Sequence, residues 1–450
     1  MKTEKCVESR KMYERALRVL PGGVSRNAVF TRPHATYAKE GKGCYVADID
    51  GNWRLDFANN VASLVHGHAH PTIVEAVSAQ LRRGTAFNLT VEMEVNYAEH
   101  LCGRSESFDK IRFVNSGTEA IMCCLKAARA YTEKPKMAKV EGSYHGIYDY
   151  AEVSQSSNPT NWGDPDHPFS VPVTRGTAPG VLEDVVVIPF NDTEHALAIL
   201  DHHADKLSCV LVDPLPHRVG MMPAKPEFVE ALRRWTRRHN ALLIFDEVIT
   251  FRCEYGGAQQ WYEVRPDLTA LGKIIGGGFP VGAIAGSSEV MEVLNPLADK
   301  VLFPHSGTFS ANPVTMTAGL TAMRLLTSEE VERLNALGQR ARSQIAEAIE
   351  ISGLPACVAG AGSLFRIHMK AQPPANYREA YNSPMEARMV RVLLDHMFRN
   401  GVMMINTCSG TLSTPMTGAE IDILAETLLE GFRKAKEVQL EEKGATVPVQ

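Results

Sequence analysis

The sequence predicts an α/β protein, with a large domain built on a mostly parallel central sheet covered by helices and a smaller α+β domain after it. Three observations predict this. Between about residues 66 and 300, short apolar runs alternate with helical patterns. Those runs are apolar on both faces, as strands buried from both sides require. Beyond about residue 310 the rhythm changes to long helices with two isolated strand-like pieces. The chain divides accordingly into an N-terminal segment over 1–65, a large domain over 66–310 and a C-terminal domain over 311–450.

In chain order, residues 1–20 place Tyr13, Ala16, Leu17 and Leu20 on one stripe of a helix halted by Pro21-Gly22-Gly23. Residues 43–59 alternate apolar and polar around the turn dipeptide Asp50-Gly51, which reads as a β-hairpin. Strand-length runs follow at 111–116, 135–141, 184–190, 207–214 and 241–247, with helical patterns such as 117–131 and 226–239 between them. Residues 153–180, rich in Ser, Asn, Pro and Gly, predict a long loop. The last part predicts helices over 312–326 and 328–351, strand-like pieces at 363–369 and 402–407, and a frayed tail after Glu437.

Composition excludes several classes of function. With 44% apolar and 22% charged residues in 450, the chain has the balance of a folded protein rather than a disordered one. Lys plus Arg number 47 against 52 Asp plus Glu, and a net charge of −5 provides no basic field for nucleic acid. No segment approaches the apolar length that would span a membrane, and the charged start is unlike a signal peptide. The nine cysteines are scattered without metal-ligand spacing, which points to reduced thiols in the cytoplasm and to no metal site.

In parallel sheets, functional groups gather where strands end. Asn115-Ser116-Gly117-Thr118 ends one run and opens a helix, so it is either an ordinary helix cap or an anion cradle suited to one phosphate. Asp246 and Glu247 end a buried run, where a carboxylate can bind metal, act as a base or pair with a cationic ring nitrogen; metal is the weaker choice without further ligands nearby. Lys273 precedes three glycines, an order opposite to that of a P-loop. It is either a surface charge or a desolvated amine suited to a Schiff base with an aldehyde. Together the three match the handles of pyridoxal phosphate: phosphate, ring nitrogen and aldehyde. Tyr144 supplies a flat ring for stacking, and His145 is either a supporting donor or a structural histidine.

The motifs LPGGV, DIDG, GHAHP, RFVNSGTEA, EGSYHG, LIFDEVIT, DLTALGKIIGGGFPVGA and HSGTFSANP resemble the fold-type I, class III aminotransferases in family order, from about residue 12 to 430. The resemblance is strongest to the glutamate-1-semialdehyde aminomutase branch and its β-phenylalanine aminotransferase relatives. It implies pyridoxal 5′-phosphate as cofactor, with Lys273 forming the Schiff base and shuttling the proton. Asp246 would hold the pyridine nitrogen, Ser116, Gly117 and Thr118 the phosphate, and Tyr144 and Val248 the two ring faces. Thr308 matches a threonine that reaches the partner subunit's phosphate, which implies a homodimer with shared active sites.

The substrate-facing motifs depart from that family. Arg26 falls near an arginine used for substrate carboxylate, a fit for its guanidinium fork, and Arg252 is either structural or at the pocket border. Asn406-Thr407-Cys408-Ser409 lacks the arginine of β-phenylalanine aminotransferases, and the basic pair His217 and Arg218 is expected to replace it. Val61-Ala62-Ser63-Leu64 replaces an aromatic-containing segment and implies an altered pocket wall. The leading expectation is an aminotransferase exchanging an amino group between a carboxylate-bearing β-amino acid or ketone and a common amino acid or keto acid. The alternatives are a glutamate-1-semialdehyde-type aminomutase, an enzyme aminating a cyclic ketone in specialised biosynthesis, and a non-catalytic cofactor-binding protein.

Overall fold

A computed structural model describes residues 6–442. Its centre is a seven-stranded sheet whose strands lie in the order Lys110–Val114, Gly282–Gly286, Leu268–Gly272, Leu242–Asp246, Leu207–Val212, Lys136–Val140, Val185–Ile188. The pairings of Leu242–Asp246 with both neighbours are parallel, as are those of Lys136–Val140. Only Gly282–Gly286 runs against the rest. Every residue of Leu207–Val212 and Leu242–Asp246 is buried, as the two-sided apolar runs require; Leu268–Gly272, equally buried, is a strand that was not among the expected runs. Helices Gly117–Thr132 and Pro226–Arg238 fall where the apolar period placed them. Gly282–Gly286 was not anticipated, because Gly-Ala-Ile-Ala-Gly lacks the β-branched and aromatic residues that mark strands.

The N-terminal elements differ in extent from their expectation. The first helix spans Val7–Ala16, and residues 1–5 of the expected helix lie outside the described residues. Its start is capped from the hairpin turn: Asp50 Oδ1 and Oδ2 accept from the amides of Glu8 and Ser9 at 2.7 and 2.9 Å. Of the expected stripe only Ala16 is buried, while Leu17 and Leu20 face outward. The hairpin forms as Tyr45–Asp48 paired with Trp53–Asp56, and Ala38–Lys42 adds a strand on its outer side.

Of the expected strand at 402–407 only Val402–Met403 is formed, and it pairs in parallel with Trp53–Asp56 of that hairpin. The C-terminal region also holds the small antiparallel sheet Cys357–Ala359, Leu364–His368, Ser409–Thr411. Helix Ser328–Ser352 packs on that sheet, Gly418–Glu442 packs against that helix and against Pro384–Arg399, and Pro313–Leu325 packs instead on Pro71–Leu81 and the turn at Lys273–Gly276. The last helix continues past Glu437 to Glu442, with Val438 packed into the main core, and residues 443–450 of the expected frayed tail lie outside the described residues.

Segment 153–180 is indeed mostly irregular, with a two-residue hairpin at Gly163–Asp164 and His167–Pro168 and a helix beginning at Pro179. Arg252 is buried as a tie between regions. Its Nε donates to Ser363 Oγ at 3.0 Å, Nη1 to Ala62 O at 3.3 Å, and Nη2 to Leu412 O. The arginine is therefore structural, and its donors are committed to the backbone and to one serine. No helix among the described residues is long and apolar enough to cross a membrane.

Candidate active site

The sheet register brings the predicted residues to one edge. Asp246 pairs with Ala270, three residues before Lys273 on the adjacent parallel strand, and Glu247 N donates to Ala270 O at 2.9 Å. Val114 pairs with Gly282, and Gly282 with Gly272, which sets Ser116 beside the same end. Tyr144 and His145 follow Lys136–Val140, and His217 and Arg218 follow Leu207–Val212, at the ends of the remaining parallel strands. Ser116, Gly117, Thr118, Tyr144, Val248 and Lys273 are all partly exposed at this edge, where a ligand can reach them.

The helix that begins at Gly117 has the kind of start that an anion cradle would need. Ser116 caps it in an extended conformation, its Oγ accepting from Glu119 N at 3.1 Å. First-turn amides have no acceptor within their own helix, which leaves Gly117 and Thr118 N–H as donors for a ligand. The cradle is tight. A Cβ on Gly117 would lie 2.9 Å from Val248 Cγ1, so only glycine lets Val248 sit over the helix start. Gly146, with φ +92°, brings the Tyr144 loop so near that its Cβ would lie 2.5 Å from Thr118 Oγ1.

Asp246 is held by two donors. His145 Nδ1–H donates to Oδ2 at 2.6 Å, and Val248 N to Oδ1 at 3.0 Å. Burial lowers the His145 pKa, although the Asp246 carboxylate opposes it, so the ring is the neutral tautomer protonated at Nδ1. His145 Nε2 is buried without a partner among the described residues.

Two lysines lie near this edge in opposite circumstances. Lys139 is fully buried and donates to Ser143 O, Ala151 O and Val153 O at 2.9, 2.6 and 2.7 Å, so its amine is spent on holding the Tyr144 loop. Lys273 Nζ has no hydrogen-bond partner among the described residues. Its backbone is left-handed, φ +49°, a strained conformation for a non-glycine residue and common at functional sites. Desolvation lowers its pKa, while Asp246 and Asp213 pull it up.

Asp213 stands at the end of the apolar run expected over 207–214, where functional groups gather. It is buried, Leu215 N donates to its Oδ1 at 2.9 Å, and burial with Asp246 nearby raises its pKa well above the carboxylate range. Glu247, beside Asp246, plays a different part. It accepts from Ala258 N, Gln259 N and Thr250 Oγ1 at 2.8, 2.8 and 2.9 Å and clamps a loop.

The substrate candidates separate. The His217 ring lies edge-on to Tyr144 at 6.2 Å, and the Arg218 guanidinium sits over the Tyr144 ring at 5.1 Å. Burial, then Arg218 and Arg366, drive the His217 pKa to about 3, so of the expected basic pair only Arg218 is charged. Arg366 was missed; a charged residue inside the apolar run SLFRIHM was the available signal. Arg26 is exposed and donates from Nη1 to Asn60 Oδ1 at 2.7 Å. That contact attaches it to Asn59–Ala62, where four successive residues have φ between +45° and +69°. Leu64, on the altered wall, approaches the glycine turn after Lys273: a Cβ on Gly278 would lie 3.3 Å from its Cδ2. Thr308 is exposed, and the neighbouring Gly307 lies beside this chain's own Asn115.

The class-III aminotransferase profile matches residues 28–421, and the chain belongs to that family. It is a pyridoxal-phosphate-dependent aminotransferase of fold type I. Over 382 residues it is 37% identical to a glutamate-1-semialdehyde 2,1-aminomutase of Methanothermobacter thermautotrophicus, covering 84% of this chain and 87% of the relative. An ω-transaminase structure from Sphaerobacter thermophilus aligns with a TM-score of 0.93 at 47% identity, covering 95% of this chain and 98% of that one. A β-phenylalanine aminotransferase from Variovorax paradoxus aligns at 0.85 and 29% identity, covering 98% and 95%.

The residues present fit that cofactor. First-turn amides and the hydroxyls of Ser116 and Thr118 suit a phosphate, a doubly held carboxylate suits a pyridinium nitrogen, and Lys273 presents an unpartnered amine to an aldehyde. Because burial disfavours the ammonium, the condensation of Lys273 with pyridoxal phosphate is expected to reach half its maximal rate at a pH below 10.5. Since Asp246 opposes this shift, Asp246→Asn is expected to move the midpoint lower still. Stopped-flow absorbance against pH checks both; a midpoint at or above 10.5, or an upward move in the variant, contradicts the assignment.

Proposed function

We propose that this aminotransferase moves an amino group between a carboxylate-bearing β-amino acid, or the corresponding ketone, and a common amino acid or keto acid. The observation that carries the proposal is Arg218, whose guanidinium lies over Tyr144 and has no carboxylate partner among the described residues. Likeness to a β-phenylalanine aminotransferase supports the same substrate class.

When bound, pyridoxal phosphate supplies an electron sink for charge that develops on the carbon bearing the nitrogen. The protein's part is to orient and to move protons. Lys273 Nζ, whose charged form desolvation disfavours, would take a proton from that carbon and return one. Asp246 Oδ1 and Oδ2, held by Val248 and His145, place negative charge where the ring nitrogen would lie. Ser116, Gly117 and Thr118 would hold the phosphate, and Tyr144 and Val248 would enclose the ring. Arg218 would orient the substrate carboxylate, with His217 as a neutral neighbour. Arg26, at the Asn60 wall, is a second candidate for that carboxylate.

Arg218→Ala is expected to raise KM for the carboxylate substrate on the order of tenfold while leaving cofactor absorbance nearly unchanged. An unchanged KM would refute the role.

The 37% identity to an aminomutase favours a second reading, an intramolecular 2,1-aminomutase. The two differ in donor requirement. A transaminase consumes substrate only when a partner amino or keto acid is supplied, which is the outcome expected here. Sustained turnover of glutamate-1-semialdehyde without any donor would establish the mutase instead.

We further infer a homodimer in which Thr308 of each chain completes the neighbour's phosphate site. The exposure of Thr308, flanked by the exposed apolar residues Leu302 and Phe309, supports it. Sedimentation at twice the 49.4 kDa chain mass is expected, and a species of one chain mass at micromolar concentration would count against it.

A further inference from the structure

A cavity of about 310 Å³ opens beside the 217–218 turn, lined among others by Gln155, Ser156, Arg218, Arg366, Tyr377 and Tyr381. Its volume is at the lower end for small-molecule sites, enough for a small acid. Arg366 comes from the centre of the strand Leu364–His368 and is only 7% exposed. Its Nη1 donates to His217 O, and its Nε is buried with no partner among the described residues. Arg218 Nη1 donates to Gln155 O and Ser156 Oγ, both at 3.1 Å. The two guanidiniums therefore face one cavity from different elements.

No carboxylate among the described residues pairs with either of them. The acids nearby are committed elsewhere. Glu141 accepts from Arg378 Nε and Nη2 at 2.9 and 3.1 Å, and Glu152 accepts from Thr174 Oγ1 at 2.9 Å. Cys408, which acts on Arg366, has its thiol pushed up to about 12 by burial and stays neutral. Burial, and after it the charge of Arg218, lowers the Arg366 pKa to about 10, so its charge is held at a cost. A buried guanidinium with a free fork and no counter-ion is matched by a carboxylate from outside the chain. The walls favour an apolar body behind that carboxylate. Tyr377 and Tyr381 both line the space; the Tyr377 hydroxyl is tied to Ser157 O at 2.6 Å, and Tyr381 packs edge-on against Trp162 at 5.5 Å.

We propose that Arg366 and Arg218 form one carboxylate pocket and that Arg366 determines the preference of this enzyme for amino acids over amines lacking the acid. The proposal rests on the carboxylate-substrate reading of Arg218 and adds the residue that completes it.

The test compares 3-amino-3-phenylpropanoate with 1-phenylethylamine, which lacks the carboxylate arm, as amino donors to the holoenzyme. The readout is the ratio of their kcat/KM values in the wild type and in Arg366→Met. The ratio is expected to fall on the order of tenfold or more, the inhibition constant of 3-phenylpropanoate to rise in parallel, and added guanidinium ion to restore part of the acid's rate. A merely structural role through His217 O would reduce acid and amine together without guanidinium rescue, and that result, or an unchanged ratio, overturns the pocket while leaving the β-amino-acid reading standing. A wild-type enzyme that turns over the amine alone and is not inhibited by 3-phenylpropanoate overturns both.

Discussion

An amine enclosed by protein is driven toward its neutral, nucleophilic form by the loss of water, and at Lys273 that drive is opposed by the carboxylates of Asp246 and Asp213. The rest of the site follows from managing this balance. Asp246 is kept in place by His145 and Val248, so its charge has a fixed position instead of swinging to pair with the lysine. Asp213, with its pKa raised by burial and by Asp246, softens the negative field. Lys139 shows the alternative fate of a buried lysine. Three backbone carbonyls occupy its donors, which leaves it holding the loop that carries Tyr144 and His145.

The same balance explains why charges are sorted across the site. Carboxylates gather at the ends of Leu207–Val212 and Leu242–Asp246, while the guanidiniums of Arg218 and Arg366 lie beyond the Tyr144 ring. Each pairing of Arg218 or Arg366 with Asp213 or Asp246 would have removed one guanidinium from use by a ligand. His217, neutral between the two groups, separates them without adding charge.

Much of this was legible in the sequence because strand ends and helix starts have local chemical signatures. Asn115 to Thr118, Asp246 and Lys273 were found as polar residues interrupting apolar runs, and the register of the sheet then brought them together. What escaped has physical reasons. Gly282–Gly286 is a strand only because its neighbours on both sides require one, and small residues carry no propensity signal for it. Residues 402–407 resembled a free strand, whereas Val402–Met403 is held by Trp53–Asp56, a partner some 350 positions away that no local pattern reveals. Arg366 read as one polar residue within a strand; its meaning lies in the cavity and in the absence of a carboxylate partner among the described residues, which are properties of the fold. The neutrality of His217 likewise arises from burial and from two arginines brought from separate elements.

The central claim is that the Lys273 amine, and no other, condenses with the cofactor aldehyde. Borohydride reduction of the protein with pyridoxal phosphate, followed by proteolysis and peptide mapping, tests it most directly. The account predicts a single pyridoxyl group on Lys273, and a label on Lys139 or any other lysine, or no label at all, would contradict it.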